Sequence, residues 1–310
     1  MKYRVADIVE KLARRAARTM RPAARASLSR EMFFGLSSEF TPIVCSDRAG
    51  LKYLVSTQDE TVGRHAFLTG GFDLAEMTDA MQQMRSLGIG GFQSKTFVDI
   101  GANIGTSLLP AVTQFGFARG IGFEPEAANF ALLSCNVLLN HLSDRIIVQN
   151  LAISDSAGEM KFETCPQNSG DGRVRVDAAR GAPELLRESL REEVRVQAIT
   201  FDEVLERGTV RLDDIGLVWM DTQGHEGHVL RGASKLTRSS IPVLMEYCPY
   251  LLKRAGGLEM LEEVVREHYS TIALIRGSGG TTPRLLKAAD ICSLREMFTG
   301  TNFTDILLLH

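Results

Sequence analysis

The stretch Thr96-Phe97-Val98-Asp99-Ile100-Gly101-Ala102-Asn103-Ile104-Gly105-Thr106 constrains this chain more than any other. A short apolar run ends in an acid, turns through two glycines and enters a helical pattern from Ser107 to Phe115. That order reads as a buried strand, a tight loop and a helix N-terminus, the way an open α/β sheet holds a nucleotide-type ligand. A dinucleotide site would carry G-x-G-x-x-G, whose glycines let the backbone approach a pyrophosphate. Here the spacing is Gly101-x-x-x-Gly105. Fewer glycines suit a ligand without phosphates, and S-adenosylmethionine (SAM) is one. Its carboxylate can sit on helix N-terminal amides, and Asp99 can order the loop or accept from its ammonium.

Bulk composition narrows the class. The 310 residues can bury a sizeable core and suit two domains, or one with an extension. A net charge of -3 argues against a chain built as a whole to coat nucleic acid or an acidic membrane. No apolar run is long enough to span a bilayer, and no secretion signal is read. Cys45, Cys135, Cys165, Cys248 and Cys292 show no C-x-x-C pairing and read as reduced thiols, so the expected location is cytoplasmic.

The ends and edges of the chain are distinct. Val5, Ile8, Val9, Leu12, Ala13, Ala16 and Met20 recur at helical spacing among Lys and Arg, and Pro22 should end that helix. This amphipathic segment suits docking on the body or on a second copy as a homodimer; an acidic partner, a membrane surface or RNA is the other reading. Residues 38–57 read as a hairpin, Pro42 to Cys45 and Leu51 to Val55 flanking Asp47-Arg48-Ala49-Gly50, and Phe72 to Leu87 as a helix closed by Gly88. Residues 1–93 are therefore expected to form an N-terminal helix, hairpin and helix cap on a cofactor domain spanning 94–310.

Within that domain the expected strands are 96–100, Gly120 to Phe123, Ile146 to Gln149, Ile215 to Met220, Pro242 to Met245, Thr271 to Ile275 and Asp305 to Leu309. Helices are expected at Ala127–Asn140, Leu258–His268 and Leu285–Phe298. Glu124 ends the second strand about twenty-five residues after Asp99, where a carboxylate can accept ribose hydroxyls. It can equally serve the helix that Pro125 begins. Residues 156–200 read as an insertion, polar and Gly-rich from 165 to 192 and helical from Pro183. A substrate lid and a surface decoration are both open readings.

Five segments together resemble the FkbM-type SAM-dependent methyltransferase family. They are Val98 to Gly105, Phe123-Glu124-Pro125, Asn150-Leu151-Ala152-Ile153-Ser154-Asp155, Asp221-Thr222-Gln223-Gly224-His225-Glu226 with Val229-Leu230-Arg231-Gly232-Ala233, and Met245-Glu246-Tyr247. The resemblance covers roughly half the chain. It implies a class I methyltransferase (Rossmann-like) α/β fold, with a seven-stranded, mostly parallel sheet whose last strand is antiparallel. It implies SAM as cofactor and a hydroxylated small molecule as acceptor, such as a sugar or polyketide. By that match Asp99, Gly101, Asn103, Gly105 and Glu124 hold SAM, with Ala102 and Pro125 in the same motifs. Asn150 and Ala152 lie near adenine, and Asp221 stands at the fourth strand's end. The family often has Lys where Trp219 stands and an acid where Gln223 stands.

Transfer to a hydroxyl also needs a base. Asp221, His225 and Glu226 are the expected catalytic residues. His225 is favoured for the proton because an unperturbed imidazole titrates near about 6.5; Asp221 is expected to position donor or acceptor, and Glu226 to orient the histidine. His225 and His228 are three apart, not the four of H-E-x-x-H, so no metal is expected. Nucleic-acid methylation docked by the basic N-terminus is the alternative, although no proline-rich run follows Asp221. A non-catalytic SAM-binding module is the other.

Overall fold

The computed structural model describes residues 22–72, 74–165, 167–175, 191–275 and 283–310. The amphipathic segment before Pro22, its expected use in a dimer and the helical run from Pro183 lie outside these residues.

The body is one twisted sheet. In chain order its strands are β3 (Thr96–Ile100), β4 (Arg119–Phe123), β5 (Ile146–Gln149), β10 (Ile215–Met220), β11 (Val243–Tyr247), β12 (Thr271–Leu274), β13 (Arg284–Lys287) and β14 (Thr304–Leu309). Across the sheet they run β13-β12-β14-β11-β10-β3-β4-β5. β3, β4, β5, β10 and β11 are parallel, and β14 runs antiparallel between β11 and β12. The expected antiparallel late strand is therefore present. The expected helix Leu285–Phe298 is not. Arg284–Lys287 instead pairs antiparallel with β12 as an eighth strand, and only 294–297 is α-helical after a 3-10 turn. Pairing with β12 satisfies the backbone groups on this segment's inner side, and Leu285 stays half exposed at the sheet edge.

The central strands are apolar because both faces are covered. Phe97, Leu217 and Trp219 point to one face, and Val98, Ile100, Val218 and Met220 to the other. Each face is covered by helices, among them α4 (Leu108–Thr113) and α5 (Ala127–Leu139) on the first, and α7 (Glu226–Arg231) and α10 (Leu258–His268) on the second.

N-terminal elements share the first face's core. They are α1 (Pro22–Ser37), the hairpin β1 (Ile43–Arg48) and β2 (Leu51–Ser56), α2 (Val62–Thr69) and α3 (Leu74–Ser86). The sequence reading placed the hairpin and α3 but missed α1 and α2; Pro22, expected to end a helix, instead stands at the first position of α1, where its missing N–H costs nothing. The hairpin turns on Ala49 and Gly50, both at positive φ, as a two-residue primed turn requires. The free edge of β2 is met by two side-chain amides one turn apart on α5. Asn136 bonds the N–H and C=O of Leu54, and Asn140 those of Lys52. Asn136 Nδ2 also donates to the Ile104 carbonyl, tying the hairpin to the glycine loop. Asn136→Ala strands these backbone groups in a fully buried place, and we expect it to cost about 3 kcal/mol in urea unfolding.

The insertion builds a second, four-stranded sheet. β6 (Ala152–Ser154), β7 (Gly158–Thr164), β8 (Arg173–Val174) and β9 (Glu192–Thr200) lie in the order β6-β9-β7-β8.

Candidate functional site

Strand order reverses between β3 and β10, which are neighbours although the chain leaves β3 toward β4. Open α/β sheets place their ligand crevice at such a switch, outside the carboxyl ends of the strands. Here those ends carry Asp99-Ile100-Gly101 and Met220-Asp221. The two backbones close on each other, with Asp221 N–H donating to the Ile100 carbonyl at 3.0 Å. A Cβ on Gly101 would sit 2.0 Å from the Asp221 carbonyl oxygen, and φ there is +92°. Gly101 is thus required by the strand crossing itself.

Two clefts meet at this point. The first has about 520 Å³ of empty space and is lined by Gly101, Asn103, Glu124 and Pro125, with Phe123, Leu151 and Ile153 as an apolar shelf. Ala152, Asp221 and His225 also line it. The second, about 1230 Å³, is lined by Ala102, Asp221, Gln223 and Glu246, with the rings of Phe72, Trp219 and Phe303. Gly101, Asn103, Gly170 and Asp221 border both.

Gly170 belongs to a short turn, Ser169–Asp171, that lies over the glycine loop. Ser169 Oγ donates to Asp59 at 2.5 Å, and Asn129 Nδ2 donates to the Ser169 carbonyl at 3.2 Å. Glu60 N–H bonds the Gln167 carbonyl. The described part of the insertion therefore covers the crevice, anchored by the segment before α2, and is not mere decoration. Nothing in its composition announced this; the contacts join residues 40 to 110 positions apart.

The carboxyls differ sharply. Asp99 is buried behind the loop, and its Oδ2 has no hydrogen-bond partner. Burial, then the charges of Asp221 and Glu124, hold its pKa well above the usual carboxylate range. Glu124 accepts the backbone N–H of Asn103 and of Glu126, each at 2.8 Å. Burial pushes it up to about 7 despite those bonds. Asn103, at φ 48°, caps its neighbour by accepting Ile104 N–H. Gly105 turns the loop at φ +94°, where a Cβ would strike Leu109 and Leu133. Asn150 points away from the first cleft's lining and clasps the carbonyls of Glu124 and Pro125, both at 2.9 Å.

At the end of β10, Gln223 Nε2 donates to Asp221 at 2.7 Å and reaches Glu246 at 3.5 Å. Glu226 is buried and spends one oxygen on Thr222 N–H at 2.8 Å and its hydroxyl at 2.9 Å, so it holds the loop. His225 is oriented instead by Ser154, with Nε2 to Oγ 2.9 Å. Its ring stacks on His228 at 4.4 Å, and His228 turns its own nitrogens to Asp155 and the Ala255 carbonyl. Burial, then His228, pulls His225 down to about 3, so it is neutral. It borders the first cleft and not the second.

Burial also raises Glu226 to about 7, from 4.5. A raised folded value means the folded chain binds extra protons. The contribution to stability is complete below about pH 4.5 and is lost as pH rises through about 7. We expect ligand-free unfolding free energy to fall across that window by at most about 3 kcal/mol for each of Glu124 and Glu226. Urea titrations at about pH 5 and about pH 8 check this, and Glu124→Gln should remove its share.

Comparison with known proteins adds the following. The family description "Methyltransferase FkbM domain" matches residues 99–269. A 2-O-methyltransferase, NoeI, of Sinorhizobium fredii (strain NBRC 101917 / NGR234) is 30% identical over 159 residues, 48% of this chain. The match spans 62% of that relative's length. The crystal structure of methyltransferase FkbM from Methylobacillus flagellatus KT aligns with TM-score 0.42 at 17% identity, covering 71% of this chain and 45% of that one. TYW2 of M. jannaschii in complex with AdoMet aligns at 0.41 and 9% identity, covering 87% of each chain.

Proposed function

The chain belongs to the FkbM-domain methyltransferase family, and on that premise we propose that it transfers the methyl group of SAM to a hydroxyl of a small molecule. The supporting observation is the pair of clefts that meet at Gly101, Asn103, Gly170 and Asp221. One suits a cofactor and the other an acceptor, with a carboxylate between them.

The residues of the first cleft fit SAM. Asp99 lines neither cleft but keeps an orphaned buried oxygen behind Gly101, suited to an ammonium that reaches the loop. Glu124 suits ribose hydroxyls, because each carboxylate oxygen retains a lone pair after its backbone bond. Phe123, Leu151 and Ile153 offer the apolar faces an adenine needs, and Asn150 acts through the Glu124–Pro125 turn. When bound, SAM supplies a methyl group already activated on a sulfonium.

The chain's own work is then to align and deprotonate. The turn Ser169–Asp171 and the rings of Phe72, Trp219 and Phe303 confine the acceptor and exclude water. Asp221 takes the acceptor's hydroxyl proton, its carboxylate held by Gln223 Nε2. His225, neutral and on the cofactor side, positions that side rather than serving as base. A relative named as a 2-O-methyltransferase supports a hydroxyl oxygen as the acceptor atom.

The test is methyl transfer from isotope-labelled SAM to a panel of hydroxylated acceptors, with the product linkage assigned by mass spectrometry. Ether formation supports the reading. Methylation confined to RNA or to amines overturns it.

A further inference from the structure

We propose that α1 and the loop after it form a docking surface for an anionic lipid bilayer. α1 packs one side inward: Phe34 and Ser37 are buried, and the Phe34 ring lies 5.3 Å from Phe67 of α2. The other side turns Leu28, Met32 and Leu36 outward at one-turn intervals, and Phe33 lies at its border, half exposed with its ring stacked on Phe67 at 5.8 Å. Phe33 is 56% exposed and Leu36 53%, and Phe40 beyond the helix end is 81% exposed. Large side chains gathered in this way on one face mark an interaction site.

Charge identifies the occupant. Residues 1–30 contain nine Lys and Arg against two Asp and Glu, while residues 31–310 carry a net charge of -10. The basic excess thus lies at the same end of the chain as the apolar face. Stable attachment to a bilayer needs two signals, apolar insertion and attraction to acidic headgroups, and this end supplies both. A second copy is the poorer occupant. It carries the same basic excess in residues 1–30, so like charge opposes its pairing with this end of the chain. RNA is poorer too, since leucine and methionine offer its bases no stacking platform. The acidic body would be repelled by the same bilayer, which orients the chain with α1 toward the surface.

The full-length chain is to be sedimented with vesicles of phosphatidylcholine alone and with about 30 mol% phosphatidylglycerol added. Binding only to the anionic vesicles, weakened by about 0.5 M salt, is expected. The triple variants M32E/F33E/L36E and M32S/F33S/L36S should each reduce partitioning about tenfold or more. The serine set shows that lost insertion, not added repulsion, is responsible. Met32 and Leu36 are exposed, but Phe33 also gives up a ring stack on Phe67, so the double variant M32S/L36S, which spares that stack, should keep the wild-type melting temperature and still partition more weakly. Absent binding, equal binding to both vesicle types or unchanged binding by the serine variant overturns the proposal. So does a solution dimer dissociated by the same substitutions, or RNA bound in preference to vesicles.

Discussion

Asp221→Asn is expected to lower turnover by about 10²- to 10⁴-fold while leaving S-adenosylhomocysteine affinity within about threefold. The reason is place and state together. Asp221 is the carboxyl bordering both clefts, where an acceptor hydroxyl and a methyl donor would meet. Asp99 and Glu226 line neither cleft and are too deeply buried to exchange a proton with an acceptor. His225 lies on the other side and is a poor base with a pKa near 3. Glu246 lines the second cleft but not the first, on the far side of Gln223 from Asp221. Gln223→Ala should cost less than Asp221→Asn, because it frees the carboxylate without removing it. Steady-state kinetics with the best acceptor separate the cases. Turnover of Asp221→Asn within about threefold of wild type would assign the proton to another group.

Asp99→Asn should cost about 100-fold in affinity for S-adenosylhomocysteine, about 2.7 kcal/mol, without loss of fold. Asp99 is buried beside two other carboxyls; burial first, then the charges of Asp221 and Glu124, favour its protonated form in the ligand-free chain. Asparagine has nearly the same shape and copies that neutral state, so unfolding by urea should change little. A ligand's ammonium changes the balance, since it favours an ionised Asp99 and asparagine cannot supply the charge. Loss of binding with intact stability therefore separates a ligand role from a structural one. Asp99→Ala would mix the two by opening a cavity in the core.

The parts of this architecture that follow local rules were legible in the sequence. The apolar run Phe97-Val98 with its acid and glycines gave β3 and its loop, and Ala49-Gly50 marked the hairpin turn. Arg284–Lys287 was misread because four residues at a sheet edge carry no period of their own. The run Leu285-Leu286 with later Ile291 and Leu294 imitates a helix, until pairing with β12 is known. The site was legible one motif at a time but not in its assembly. Asp99 and Asp221 are neighbours only because β10 returns beside β3. Glu226 looked like a partner for His225 from its adjacency. The turn instead folds its carboxylate back onto Thr222 and leaves the histidine to Ser154. Phe72, Ser169 and Phe303 reach the clefts from three distant segments, and no spacing could have announced them.

The most direct test of the account is titration calorimetry of S-adenosylhomocysteine into wild type and Asp99→Asn, with NADH titrated into wild type. Micromolar binding of the first ligand alone, about -8 kcal/mol, and its loss in the variant is the predicted result. Binding of NADH, no binding of S-adenosylhomocysteine, or equal binding by wild type and Asp99→Asn would contradict the cofactor site placed at the β3–β10 switch.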